Sequence, residues 1–170
     1  LINTNENMLA FANGQPIPHI INNIFVPTFG MVGGTGSTIS LLIAIFIFSR
    51  QQSAKQVARL SLAPGLFNIN EPVIFGLPIV FNLPLMIPFV LLPAIGIYFA
   101  WLCTTLGLMS RCVVMIPWTT PPILSAWLAT AGDWRAVVVQ LAIIVFGVFF
   151  YLPFLKIAER VALKNSGIEN

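Results

Sequence analysis

The chain has 170 residues, of which 58% are apolar and only 8% charged, with a mean hydropathy of +0.93. Soluble domains carry about 25% charged residues, so this composition predicts an integral membrane protein. The formal charge of +3 rests on few cations, gathered in two short clusters beside apolar stretches (Arg50, Lys55, Arg59 and Lys156, Arg160, Lys164), which argues against nucleic-acid binding.

Residues 1–23 are polar, hold Glu6 as their one acid, and predict an extracytoplasmic loop. The opening Leu-Ile-Asn-Thr has neither an initiating Met nor a basic leader, so the chain is expected to be part of a longer polypeptide. Residues 24–48 are apolar and uncharged, with Gly30, Gly33, Gly34 and Gly36 interrupting them. Their length suffices for the roughly 20 residues of a span, and the glycines predict one with an unwound centre. Residues 49–59 predict a polar helix with three cations and no acid, cytoplasmic by the positive-inside rule.

Residues 84–107 and 136–155 read as full spans. Both flanking basic clusters belong to one side, so the crossings between them are even in number. Residues 60–83 and 111–134 are therefore expected to be re-entrant hairpins. Pro64, Gly65, Pro72, Gly76 and Pro78 break the first, and Pro117, Pro121 and Pro122 the second. Irregular backbone at membrane depth is tolerated only where protein or a water-filled cavity satisfies it. Two hairpins entering from opposite faces would meet near the midplane, as in transporter sites. The expected fold is all-α: a transmembrane domain over 24–155 and a basic cytoplasmic tail over 156–170. Lys156, Arg160 and Lys164 share one helix face in that tail, suited to anionic lipid headgroups or simply to solvent.

Glu71 is the one acid between Glu6 and Asp133. A charge at the centre of a membrane helix costs about 3 kcal/mol on insertion scales and usually marks a substrate or ion path. Pro72 disfavours helix at Glu71, and Asn68 and Asn70 add amides that donate and accept. This cluster suits a polyhydroxylated sugar; the alternatives are a cation or proton site, or a structural Glu71 that pairs with Arg59 near the interface or caps a helix terminus. The Gly33-Gly34-Thr35-Gly36-Ser37-Thr38 run lacks the Gly-Lys-Ser/Thr of a Walker loop. It suits close backbone approach to a ligand or tight helix packing equally. Trp118 with Thr119 and Thr120 suits stacking on a sugar face or, equally, an ordinary Trp anchor at the membrane interface. His19 has no neighbour in sequence that makes a dyad and reads as a surface residue. Arg111 and an Asp133–Arg135 pair are expected at the outer surface. Cys103 and Cys112 lack metal-ligand spacing and read as packed thiols, so no metal or cofactor is expected.

These motifs resemble the membrane-embedded IIC component of the sugar phosphotransferase system, in its lactose/cellobiose/N,N'-diacetylchitobiose branch. The residues that carry the resemblance are Phe67-Asn-Ile-Asn-Glu-Pro-Val-Ile-Phe-Gly76, the upstream Pro16-Ile-Pro-His19 with Phe29-Gly-Met-Val-Gly-Gly-Thr-Gly-Ser-Thr38, and Pro117-Trp-Thr-Thr-Pro-Pro122. The resemblance implies a permease that takes a sugar, such as a β-linked disaccharide, from outside and presents its 6-hydroxyl to a phosphocysteine on a partner IIB protein, itself served by IIA. It implies Glu71 as hydrogen-bond acceptor and base, Asn68, Asn70 and Trp118 as sugar contacts, and Gly33 and Gly34 lining the same cavity. It also implies that only the C-terminal half of such a permease is matched. By the same resemblance a dimer-forming N-terminal half is expected outside this sequence, and His19 does not match the family's upstream site histidine.

Overall fold

The computed structural model describes residues 1–167; their regular structure is all helical, with no strand among them. Eight α-helices follow in order: α1 (Ile2–Ala12), α2 (Phe25–Gly30), α3 (Thr38–Phe48), α4 (Gln52–Leu66), α5 (Glu71–Gly76), α6 (Leu83–Thr105), α7 (Leu124–Ala129) and α8 (Trp134–Asn165). A 3₁₀ turn, Ile79–Phe81, joins α5 to α6. Residues 168–170 of the expected basic tail lie outside the described residues.

Helices α6 and α8 are long and apolar enough to cross a membrane. Only 28% and 33% of their most apolar windows are buried, whereas the core helix of a soluble protein hides most of its apolar surface. The tail expected after residue 155 continues α8 as unbroken helix through Lys164. Helix α3 crosses α8 closely: the Ser40 hydroxyl donates to the Ile144 carbonyl at 3.1 Å. A Cβ on Gly147 would come within 2.4 Å of that hydroxyl. Two apolar cores result. One lies among α3, α4, α5, α6 and α8 around Leu41, Leu42, Val73 and Leu92. The other gathers Phe25 and Phe29 of α2 with Ala100 of α6, Ala126 of α7 and Ala136 of α8. Burying each Phe contributes about 1.5–3 kcal/mol, so short α2 is a firm anchor.

The segment expected as a polar loop contains α1. Its polar character misleads because its inward side chains are satisfied by residues far along the chain. Asn7, fully buried, accepts from the His19 amide at 3.0 Å and donates to the His19 and Cys112 carbonyls at 2.8 and 3.0 Å. Asn22 donates to the same Cys112 carbonyl at 2.9 Å and caps α2 by accepting from the amides of Ile24 and Phe25. The N-terminal segment is thereby tied to the entry of the 111–134 stretch. His19 also has an acidic neighbour after all, since its Nε2 meets the Glu6 carboxylate.

The two broken stretches differ in detail from expectation. Helix α4 runs through Pro64 and Gly65 and ends at Leu66. A proline in the last turn removes one amide donor but leaves the preceding turns intact. The stop is a Schellman motif: Ile69 N–H bonds to the Pro64 carbonyl and Asn68 N–H to the Gly65 carbonyl, with Asn68 left-handed at φ 61°. Helix α5 restarts at Glu71, with Pro72 in its first turn, where its missing N–H costs nothing. In the 111–134 stretch, the amides of Val113 and Val114 both bond to the Ala129 carbonyl at the end of α7, closing a hairpin.

Candidate functional site

Three irregular segments converge on one side of α8: the glycine-rich connection between α2 and α3, the α4–α5 turn, and the turn at 117–122. Asn68 joins all three. Its Oδ1 accepts from the Gly33 amide at 2.9 Å, and its Nδ2 donates to the carbonyls of Trp118 at 2.6 Å and Thr120 at 3.0 Å. Both amide hydrogens are thus used on backbone. Asn70, 4% exposed, donates to the Thr35 carbonyl at 2.6 Å. Gly34 packs between these two asparagines at φ 104°, where a Cβ would lie 2.7 Å from the Asn70 side-chain carbon and 2.9 Å from the Asn68 carbonyl. Gly36 approaches Phe89 more closely still, and its carbonyl accepts from the buried Tyr151 hydroxyl at 2.6 Å. Only glycine meets both the backbone conformation and the space at these positions.

A cavity of about 570 Å³ opens beside this junction. Its polar wall is formed by Asn68, Thr120, Thr28, Ser125 and Gln140, with Trp118 at its edge. That is within the ordinary size range of small-molecule sites. Trp118 is 64% exposed, so its ring is open to a ligand. Gly33 and Gly34, expected as lining, are not part of this wall; Met31 and Val32 represent their loop there. Glu71 is not part of it either. It stands exposed at the start of α5. Arg59 does not pair with it, since the ion pairs among the described residues are His19–Glu6 and Arg135–Asp133.

Gln140 is a site residue that sequence reasoning passed over. It is 1% exposed on α8. Its Nε2 donates to the Thr28 carbonyl at 2.8 Å and the Ser125 hydroxyl at 2.9 Å, while its Oε1 accepts from the Ile123 amide at 2.6 Å. Ile123 is left-handed at φ 77°, rare for a β-branched residue. One amide side chain therefore holds α2, α7 and the turn before α7 around the cavity. The available signal was a lone amide in an otherwise apolar run on α8.

At the far end, Asp133 caps α8 through the Arg135 amide and accepts from the Ser110 amide at 2.7 Å. Burial raises its pKa, but these hydrogen bonds and the Arg135 charge outweigh it and hold the carboxyl below its ordinary range. Among the described residues no cluster of His, Cys, Asp or Glu could hold a metal.

Comparison with known proteins accounts for this arrangement. The family profile "Phosphotransferase system, EIIC" matches residues 1–93. The cellobiose-specific EIIC component of the phosphotransferase system of Lactococcus lactis subsp. lactis is 42% identical over 151 residues, covering 84% of this chain and 31% of that protein. The lichenan permease IIC component of Bacillus subtilis is 35% identical over 160 residues, covering 94% of this chain and 35% of that protein. The crystal structure of ChbC, the IIC component of the N,N'-diacetylchitobiose-specific system, superposes with a TM-score of 0.92 at 36% identity. It covers 98% of this chain and 39% of its own. The chain thus spans about a third of the length of these curated relatives, at 31% and 35% of each. The expected all-helical fold holds. The ion-coupled alternative is not favoured, because these relatives are phosphotransferase-system components, and the chain belongs to the EIIC family of the phosphotransferase system.

Proposed function

We propose that this chain is the sugar-holding transport part of a bacterial phosphotransferase-system permease, multi-pass in the plasma membrane, carrying a β-linked disaccharide of the cellobiose, lactose or diacetylchitobiose kind. The observation that carries the reading is the Asn68 junction, where one side chain ties the glycine-rich loop and the 117–120 turn beside a cavity of about 570 Å³. Trp118 takes the apolar face of a sugar ring. Asn68 and Asn70 hold the binding segments and, with their remaining lone pairs, accept from sugar hydroxyls. Gly33 and Gly34 give those segments their close approach. Glu71, exposed and without an ion-pair partner among the described residues, takes the proton of the 6-hydroxyl. The hydroxyl oxygen forms its bond to phosphorus as the phosphorus–sulfur bond of phospho-EIIB breaks, with EIIA recharging EIIB. Added charge then keeps the product inside. Further partners in this reading are membrane lipids and a second copy of the permease, met through the N-terminal half that its relatives possess.

The test is uptake and phosphorylation of labelled cellobiose, lactose and diacetylchitobiose by the permease carrying this chain, with and without Glu71→Gln. The expected result is retained binding of one sugar with phosphorylation lowered at least a hundredfold, within the 10²–10⁴-fold range for loss of a catalytic base. Wild-type phosphorylation by the Gln variant would sink the assignment of Glu71.

A further inference from the structure

One cation of the first basic cluster and two of the second, far apart in sequence, share one cleft. Arg50 lines it from the α3–α4 link, and Lys156 and Arg160 from α8. The cleft holds about 670 Å³. Its floor is Ser49, 3% exposed, whose hydroxyl donates to the Glu159 carboxylate. The one acid in the cleft is therefore already engaged by a neutral partner. None of the three cations forms an ion pair among the described residues. Three cations face one carboxylate, and beyond Gln51 the remaining wall is apolar: Ile47, Phe48 and Leu163, all exposed. Ile47 and Phe48 continue the apolar length of α3, so the cleft joins a basic end to an apolar flank.

We infer that this cleft binds the headgroup phosphate of an anionic phospholipid. Arg50, Lys156 and Arg160 take the phosphate oxygens, arginine presenting paired donors that match phosphate geometry. Ile47, Phe48 and Leu163 take the glycerol and first acyl carbons. The exposed apolar wall favours a lipid over free phosphate, which would gain nothing from it, and over a soluble acidic partner. The inference rests on the proposed reading in one respect: this end of the chain lies at the cytoplasmic surface of the membrane. A lipid seated between α3 and α8 would join the end of the site-bearing segment to the long helix it packs on.

The experiment titrates the detergent-purified permease carrying this chain with dioctanoyl phosphatidylglycerol, dioctanoyl phosphatidylcholine and inorganic phosphate. Binding is read by native mass spectrometry and by the shift in Tm. Each cation near the surface contributes about fivefold to binding an anionic lipid. Phosphatidylglycerol should therefore bind at least tenfold tighter than phosphatidylcholine. Arg50→Gln/Lys156→Gln/Arg160→Gln should remove that preference, while Lys55→Gln/Arg59→Gln, outside the cleft, should change it less than twofold. Leu163→Ser should weaken both lipids and leave phosphate unchanged. Equal binding of the two lipids overturns the inference, as does an equal loss in the Lys55/Arg59 control. Inorganic phosphate binding as tightly as phosphatidylglycerol would make this a free-anion site and overturn it too. So would a triple variant that keeps the lipid but loses binding of a soluble EIIB domain. Single variants serve if the triple variant fails to fold. Sugar binding is measured on the same samples, so failure of the transport reading is seen separately from failure of the lipid site.

Discussion

The side-chain oxygen of Asn68 accepts the amide hydrogen of Gly33 at 2.9 Å. The left-handed residue that ends α4 thereby holds the unwound connection that leads into α3. The same side chain donates to the Trp118 and Thr120 carbonyls, so its removal releases two loops at once. Net hydrogen bonds contribute about 1 kcal/mol each, and buried groups left without partners cost more. Asn68→Ala should lower unfolding stability by about 2–3 kcal/mol and weaken sugar binding more than tenfold. Asn68→Asp keeps the acceptor for Gly33 but loses both donors, and should fall between. Thermal unfolding together with sugar titration checks both; a stable Ala variant with normal sugar affinity would show that Asn68 does not hold the loops.

Gly34 gives a sharper version of the same test. Its φ of 104° and the 2.7 Å approach of Asn70 leave no room for a methyl group. Left-handed or otherwise sparsely populated backbone costs about 1–3 kcal/mol in a non-glycine residue, and the clash adds to it. Gly34→Ala should displace Asn70 from the Thr35 carbonyl and lower Tm by several degrees. Gly14→Ala, at φ 66° with nothing within 4 Å of the added carbon, should carry the backbone strain alone. The difference between the two variants measures the clash together with the added strain of φ 104° over φ 66°.

What the sequence reveals of this molecule follows from the range of each interaction. The long helices α6 and α8 are legible because apolar content over twenty or more residues is a local property. The break after Gly30 is legible because consecutive glycines announce backbone that other residues avoid. Of the breakers expected in 60–83, Pro64 and Gly65 do not end α4, because a proline in the last turn of a helix removes a donor without ending the helix. Helix α1 was hidden because Asn7 looks solvent-seeking until His19 and Cys112 are brought to it. Asn68 and Asn70 are legible as polar residues at a break, but their backbone partners are not, and Glu71 stands outside the wall they help to build. Composition marks Asn68 as a hydrogen-bonding residue and is silent on whether backbone or ligand takes the bonds. Gln140 escaped for the converse reason: a single amide among apolar residues reads as noise until three segments are found to depend on it.

Gln140 therefore supports its own prediction. Gln140→Leu fits the volume but leaves the Ile123 amide and the Thr28 carbonyl without partners in a part-buried wall, at about 1–3 kcal/mol for each such group. The expected outcome is a loss of about 2–4 kcal/mol and a cavity wall that loosens at 117–125. Hydrogen exchange at the Ile123 amide should rise while exchange in the middle of α6 stays unchanged. Gln140→Glu keeps the acceptor for Ile123 and should restore protection at that amide even where sugar affinity remains low. Uniform loss of protection across α6 and α8 in both variants would show a global effect instead and remove Gln140 as the element that positions the wall.

Asp133 couples the N-terminal end of α8 to pH. Its carboxylate accepts from the Ser110 and Arg135 amides, at the positive end of a 32-residue helix. Because its folded pKa lies below the ordinary 3.8, the unfolded chain binds the proton more readily than the folded one. The stabilisation is then fully present above the unfolded value and is lost as pH falls through the folded one. Wild type should lose Tm steeply below about pH 4, near the ordinary carboxylate value. Asp133→Asn keeps one acceptor oxygen for the Arg135 amide of the cap, but turns an NH2 group toward the Ser110 amide and carries no charge. It should be less stable than wild type at pH 7, by about 0.3–1 kcal/mol for the lost charge at a helix start. Below pH 4 the difference should close, because wild type becomes neutral there too. Melting curves of both proteins between pH 3 and pH 7 decide the point, and a constant gap across that range would mean that Asp133 acts by geometry and not by charge.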